Sequence, residues 1–229
     1  MPALVTDRIR YLHVPKTGGT WVSQALDSAG VEFVTIDRPS KLMRGTHAGL
    51  AQTEDFADRF TIAFVRHPLD WWRSRWATRM RTAWDPEHEI DSRACSNDFE
   101  AFIEQVIENL PGHFGERLER FIGPPSQPVD FIGRFEHLAD DLVRALKQAG
   151  EPFDERALRR CEPANVNDYT QLDALYPTDL AIRLAECETS VIGRFYAADP
   201  VPERLLASAT PPASGRRAGS SETTPSEAR

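Results

Sequence analysis

Apolar and polar positions follow one another in blocks that predict strands and helices in turn. Short apolar runs at 9–14, 31–36, 60–65 and 129–135 have the length and the β-branched or aromatic content of strands. Between and after these runs, residues 20–30, 68–80, 97–110 and 137–148 place apolar side chains at helical spacing. The run FTIAFV at 60–65 is apolar at nearly every position, which is typical of a strand buried on both faces of a parallel sheet.

Strands that alternate with helices predict right-handed crossovers, and therefore an α/β fold of three layers with a central parallel sheet flanked by helices. A chain of 229 residues is long enough for one sizeable core, so we expect one domain over residues 1–198. From residue 199 onward Pro, Ser, Ala, Arg and Thr dominate the composition. This composition predicts a disordered polar tail at 199–229 that the chemistry does not need.

Composition and charge exclude several classes of protein. The net charge of −8 argues against a nucleic-acid binder, which needs a basic surface. No apolar run approaches the roughly twenty residues of a membrane span, and charged residues near the amino terminus are unlike a secretory signal. The three cysteines are far apart and form no CxxC pair, so we expect plain thiols, no metal site and a cytoplasmic location.

The segment HVPKTGGTW at 13–21 joins the end of the first predicted strand to the start of a helix. Gly18 and Gly19 allow the backbone to approach a ligand closely, and the unpaired NH groups of a first helical turn attract a phosphate. Lys16 adds a full positive charge, and Thr17 and Thr20 add hydroxyl donors. Because the lysine precedes both glycines, the order differs from the GK[ST] of an ordinary nucleotide-binding P-loop.

A second candidate anion site follows the buried strand. Arg66 comes directly after residues 60–65, and Ser74 follows eight positions later inside the next predicted helix. In an open parallel sheet ligands bind at the carboxyl ends of the strands, so Arg66 is expected on the same edge as Lys16. From Arg66 to Arg81 the chain has five arginines and one acidic residue, which is a local excess of positive charge in an acidic protein.

Together, PKTGGTW and the spacing of Arg66 and Ser74 resemble the two signatures of sulfotransferases that use 3'-phosphoadenosine 5'-phosphosulfate (PAPS). The double glycine is more similar to the bacterial and glycan-type branches than to the cytosolic branch. The resemblance implies a P-loop-like fold in which Arg66 and Ser74 bind the 3'-phosphate. It also implies that the 5' end is bound by Lys16, Thr17, Gly18, Gly19, Thr20 and Trp21.

Two further segments bear on the resemblance. IGRFEHLADDL at 132–142 is similar to the family's next strand-to-helix element, although it is much less specific. The Arg-Lys-Gly element with which cytosolic members close over the nucleotide has no clear counterpart in this chain. Residues 165–169 are the alternative for that role.

The activity implied is transfer of a sulfuryl group from PAPS to a hydroxyl or amine of an unidentified glycan or small-molecule acceptor, with PAP as product and no metal. Lys16 is expected to stabilise the charge that grows on the leaving group. His47, between the two motifs, is the candidate general base, since histidine titrates near neutrality and glycan sulfotransferases place a catalytic histidine similarly. His13 and His67 are expected to be structural, with His13 or an acidic residue near Asp85 next in line as base.

Other interpretations remain open. An ATP-dependent small-molecule kinase of P-loop type, or an inactive nucleotide-binding relative, would use the same edge of the sheet. Trp72 and Trp76 lie on an apolar helical stripe and are expected in the core, whereas Trp71 and Trp84 either line an acceptor cleft or pack. The acidic residues at 85–91 are expected in a solvated loop. The oligomeric state stays open.

Overall fold

The computed structural model describes residues 2–36, 48–127, 129–169 and 171–207. Its centre is a sheet of five strands in the order β3-β1-β2-β4-β5. The strands are β1 (Ala3–Val5), β2 (Ile9–Leu12), β3 (Val34–Ile36), β4 (Phe60–Val65) and β5 (Phe131–Arg134). The four predicted strands are present. Strand β1 was not predicted, because three residues are too few to show a periodic pattern.

The sheet is mostly parallel rather than wholly parallel. Strands β2, β4 and β5 run in the same direction, with Leu12 paired to Ala63 and Val65 paired to Arg134. Strand β1 is antiparallel to both β2 and β3. The predicted central parallel sheet is therefore present, with β1 as an additional antiparallel strand. A tight turn causes the reversal: the hydroxyl oxygen of Thr6 accepts hydrogen bonds from the NH groups of Arg8 and Ile9.

Eight α-helices are found in the described part of the chain. They are α1 (Gly19–Ser28), α2 (Pro68–Thr82), α3 (Phe99–Asn109), α4 (His113–Ile122), α5 (Leu138–Ala149), α6 (Glu155–Arg159), α7 (Thr178–Cys187) and α8 (Thr189–Phe195). Helices α1, α2, α3 and α5 confirm the predicted ones, while α4 and the three near the carboxyl end were not predicted. None of the helices in these ranges has the length and apolar character that crossing a membrane requires.

Two hydrophobic clusters cover the two faces of the sheet. On β4, Ile62 and Phe64 point into the cluster with α1 and α5, whereas Ala63 and Val65 point into the cluster with α2, α3 and α4. Adjacent residues of a strand face opposite sides, so a strand apolar at every position fills both clusters. The larger cluster contains Trp72 and Trp76, as predicted. The helices thus flank the sheet in three layers.

The segment after α8 packs on the domain through residue 207. Leu205 is fully buried, and its carbonyl accepts a hydrogen bond of 2.8 Å from the NH of Tyr176. The NH of Ala207 donates to the carbonyl of Tyr176, also at 2.8 Å, and Arg204 pairs with Asp70 at 2.6 Å. The domain boundary predicted at residue 199 is therefore too early. Residues 208–229 of the predicted tail lie outside the described residues.

A truncation tests this revised boundary. Ending the chain after Ala198 removes a buried leucine side chain, two backbone hydrogen bonds and an ion pair, so the free energy of unfolding should fall by about 3 kcal/mol or more. Ending it after Ala207 should leave the unfolding energy unchanged, as the composition of the remainder predicts. Urea unfolding of both truncations measures the difference, and equal midpoints would contradict the packing of residues 199–207.

Candidate anion-binding site

The loop between β2 and α1 is held in place by the end of β4 and by α2. Trp71 Nε1 donates to the carbonyl of Pro15 at 2.8 Å, and an Arg66 guanidinium nitrogen donates to the carbonyl of Lys16 at 3.2 Å. The ammonium of Lys16 donates to Thr78 Oγ1 at 2.5 Å. These contacts bring the two predicted anion motifs together across a separation of 50 residues. They also show that Trp71 packs in the core and fixes the loop.

Glycines are required where this loop enters α1. Gly18 precedes the helix in the left-handed region with a φ of 91°, and an added Cβ there would lie 2.5 Å from Leu138. A Cβ on Gly19 would lie 1.9 Å from the His13 ring. The first turn of α1 has no acidic side chain, so its NH groups have neither a helical acceptor nor a capping carboxylate. This geometry leaves the helix start ready to bind an anion.

Gly19→Ala should damage this loop. The new Cβ would displace the nearly buried ring of His13, so we expect a loss of about 2 kcal/mol or more in unfolding free energy and weaker anion binding. Gly193→Ala is the matched control, because it lies within α8 and its added Cβ meets nothing within 4 Å. Thermal melts of both variants make the comparison. An equally stable Gly19→Ala protein would contradict the close approach of His13.

A cavity of about 480 Å³ opens at this edge of the sheet. Its walls include six of the eight residues that the sequence assigns to a cofactor. The six are Lys16, Gly18, Gly19, Thr20, Arg66 and Ser74. His13 and Phe135 complete the wall beside them, together with a segment at 164–169. One cavity therefore joins the two motifs.

Two predicted ligand residues lie elsewhere. Thr17 is fully buried, and its hydroxyl donates to the carbonyl of Val14 at 2.8 Å, so its side chain shapes the loop. Trp21 is 9% exposed and packs in the cluster between α1 and α5, with its indole NH donating to the carbonyl of Cys161. Trp21 follows Gly19 by two residues, which in an α-helix is a rotation of about 200° around the helix axis. Its side chain therefore points away from the cavity. The structure therefore places Trp21, a predicted cofactor ligand, in the core and not in the wall of this cavity.

Arg66 provides an uncompensated positive charge in the cavity wall. Its guanidinium stacks over the ring of Phe135 at 4.0 Å, and no carboxylate among the described residues pairs with it. Its Nε atom is buried and has no hydrogen-bond partner in the described part of the chain. An unpaired buried donor on a cation is costly unless an anion satisfies it. Phe135 belongs to the segment 132–142, which was noted in the sequence without any functional residue being assigned to it.

Residues 164–169 form the wall opposite the loop. The amide nitrogen of Asn167 donates to Ser74 Oγ and to the hydroxyl of Tyr169, both at 3.2 Å. The guanidinium of Arg73 stacks on the Tyr169 ring at 3.9 Å, which ties this segment to α2. Asn165 adopts a left-handed φ of 53°, as asparagine does more readily than most residues. The segment thus lines the cavity and contacts Ser74.

Lys16 carries its charge at an energetic cost. Burial and, to a smaller extent, the positive charges of Arg75, Arg81, Arg66 and Arg79 together lower the pKa of its amine to about 8. Between pH 8 and 10.5 the unfolded chain holds a proton that the folded chain has lost, so stability rises with pH across this window. At neutral pH the charged lysine destabilises the unliganded fold by up to about 3 kcal/mol. Strongly shifted pKa values of this kind are common at functional sites, where a bound anion would compensate the buried positive charge.

The three histidines considered as candidate bases, His13, His47 and His67, differ in their positions. His67 caps α2, since its Nδ1 accepts from the NH of Leu69, and its Nε2 therefore carries a proton that it donates to the carbonyl of Asp199. Its predicted structural role is confirmed. His13 is nearly buried and also lines the cavity. His47, the candidate base, lies outside the described residues.

One acidic residue departs from the predicted solvated loop. The carboxylate of Asp91 is completely buried and pairs with Arg75 at 2.5 Å and with Arg79 at 2.6 Å. It also accepts a hydrogen bond from the backbone NH of Asp85. The expectation for residues 85–91 is therefore wrong at Asp91, because two arginines on α2 supply partners that allow a carboxylate to be buried.

Comparison of the chain with protein-family models, with curated proteins and with solved structures finds no match.

Proposed function

We propose that the protein is a sulfotransferase that moves the sulfuryl group of PAPS to a hydroxyl or amine of an acceptor. The observation that carries the proposal is the single cavity shared by the loop at 15–20 and by Arg66 and Ser74. The two motifs are far apart in sequence, and the resemblance to PAPS-dependent enzymes requires them to bind opposite ends of one nucleotide. Their common cavity supports this requirement.

The residues of the cavity suit the two anionic ends of PAPS. Arg66, with its unpaired Nε, and Ser74, which Asn167 holds in position, would bind the 3'-phosphate. Lys16 and the NH groups at the start of α1 would bind the 5' end. Gly18 and Gly19 permit the approach, because side chains there would collide with Leu138 and His13. Phe135 and Tyr169 add two aromatic rings to the wall of the same cavity.

The proposed reaction is an in-line substitution at sulfur. The acceptor oxygen or nitrogen forms a bond to sulfur while the bond from sulfur to the bridging oxygen of the 5'-phosphate breaks, and PAP leaves with that electron pair. Lys16 and the NH groups of α1 stabilise the negative charge that develops on the leaving phosphate. The acceptor proton passes to a general base, for which His47 is the candidate by resemblance.

Binding of ATP with magnesium for a kinase reaction is less compatible with these residues. Arg66 follows directly after strand β4, where a kinase of P-loop type would need an acidic metal ligand. Lys16 also precedes the glycines and is held by Thr78 on α2, unlike a Walker lysine inside the helix. The basic edge therefore favours a ligand with two phosphate ends over a magnesium nucleotide.

Ligand-induced thermal stabilisation tests the proposal. PAP should raise the melting temperature more than AMP, because only PAP has the 3'-phosphate assigned to Arg66 and Ser74. A ligand at about a hundred times its dissociation constant adds about 2.7 kcal/mol. ATP with magnesium at the same concentration should have a smaller effect than PAP. Equal shifts for PAP and AMP, or a larger shift with ATP and magnesium, would contradict the assignment.

A further inference from the structure

One face of α2 extends beyond the cofactor cavity. Ser74, Thr78 and Arg81 are spaced by four and three residues, so they lie along one side of the helix. Ser74 lines the cavity, and Thr78 holds the ammonium of Lys16 about 6 Å further along the axis. Arg81 follows about 4.5 Å beyond Thr78. This stripe of Ser74, Thr78 and Arg81 thus extends from the proposed 3'-phosphate end of the cavity, past the ammonium of Lys16, to a position beyond it.

The charges around the far end of this stripe do not balance. Arg75 and Arg79 share the single carboxylate of Asp91, which leaves one positive charge in excess. Arg81 is exposed, and none of the described carboxylates lies within ion-pair distance of it. All three guanidinium groups are close enough to Lys16 to lower the pKa of its amine. Among the described residues, about two positive charges near the lysine therefore have no carboxylate partner, in addition to Lys16 and Arg66.

The cofactor does not account for this excess. Arg75, Arg79 and Arg81 are absent from the walls of the cavity that holds the cofactor motifs. The pair between Asp91 and the two arginines fixes them on the far side of α2, where His88 and Asp91 pack. Of the three, only Arg81 is exposed, whereas Arg75 is buried and Arg79 is partly buried. In a sulfotransferase the acceptor must lie next to the transferring group, and Lys16 marks that point.

We propose that the acceptor is an anion, with a carboxylate or sulfate group close to its accepting hydroxyl or amine, and that Arg81 binds this group. The inference rests on the proposed function, because it defines the acceptor of that same reaction. A guanidinium binds carboxylate and sulfate through paired NH donors, so Arg81 would orient the acceptor as well as attract it. The excess charge of Arg75 and Arg79 strengthens the local positive field.

A matched pair of sugars tests the proposal. The protein is saturated with PAP and titrated calorimetrically with p-nitrophenyl β-D-glucuronide and with p-nitrophenyl β-D-glucoside, which differ only in the C6 carboxylate. We expect the glucuronide to bind about tenfold more tightly. In Arg81→Gln the preference should shrink to less than about threefold, while PAP affinity stays within that same factor.

Arg8→Gln is the control for loss of one positive charge. Arg8 is exposed in the turn before β2, at the opposite end of that strand from Lys16, so the preference should survive. Equal affinities for the two sugars, no heat from either at millimolar concentration, or a preference that Arg81→Gln leaves intact would overturn the anionic acceptor alone. Failure of PAP to bind would overturn the proposed function and this inference with it.

Discussion

Lys16→Met will lower the rate of sulfuryl transfer by about a hundredfold or more. The substitution keeps the stem of the side chain and removes the charge that, in the proposed function, stabilises the leaving phosphate. Such electrostatic stabilisation is usually the largest single contribution in comparable sites. Turnover is measured as PAP formation from PAPS with any accepted hydroxyl or amine. Thr78→Val is the matched control, because it removes the hydroxyl that holds the ammonium and leaves the charge. It should reduce turnover far less.

The same variant makes a second, opposite prediction. Because burial and the neighbouring arginines disfavour the charged amine, Lys16→Met should unfold at a higher urea concentration in the absence of ligand. The expected gain is about 1 to 3 kcal/mol. A variant that is more stable yet inactive is the signature of a residue retained for its chemistry. A less stable and fully active variant would contradict both the electrostatic cost and the catalytic role.

Arg66→Gln will weaken PAP binding by about tenfold to a hundredfold. Arg66 follows β4 in the cavity wall, and none of the described carboxylates pairs with it. A hydrogen bond to a charged phosphate contributes about 1.5 to 3 kcal/mol. Glutamine retains a donor for the carbonyl of Lys16 and loses the charge. Calorimetric titration with PAP gives the affinity.

AMP supplies the matched control for Arg66→Gln. AMP lacks the 3'-phosphate, so its affinity should be similar for the variant and the unaltered protein. A parallel loss for both nucleotides would mean that Arg66 only holds the loop at Lys16. Contact of Arg66 with the 5'-phosphate, which both nucleotides carry, would also give a parallel loss and would contradict the proposed orientation.

The sequence was sufficient to predict which edge of the sheet carries the site, because strand burial and strand direction together determine that edge. A continuous apolar run marks β4 as a buried strand, and parallel strands expose their carboxyl ends at one edge. Lys16 follows β2 and Arg66 follows β4, and these strands are parallel neighbours, so the two cations lie at the same edge. The loop needed its two glycines for a reason visible in the structure, since both positions are closely approached by other side chains.

Other parts depend on contacts that no local pattern records. Asp91 is buried because Arg75 and Arg79 reach it from another element. The composition of residues 199–207 is typical of a polar tail. Leu205 is nevertheless buried in the core, and its carbonyl accepts a hydrogen bond from the NH of Tyr176. Trp21 was assigned to the ligand through the family resemblance, whereas its position on α1 turns it into the core. In each case a partner distant in sequence decides the outcome.

Mass spectrometry of the reaction with PAPS tests the central claim most directly. The protein is incubated with PAPS and a panel of phenols, amino sugars and glucuronides, and both PAP and the acceptor products are recorded. The account predicts PAP that forms only when an acceptor is present, an acceptor that gains the mass of SO3, and neither product with Lys16→Met. Absence of PAP with every acceptor, or phosphorylated acceptor when ATP and magnesium replace PAPS, would contradict it.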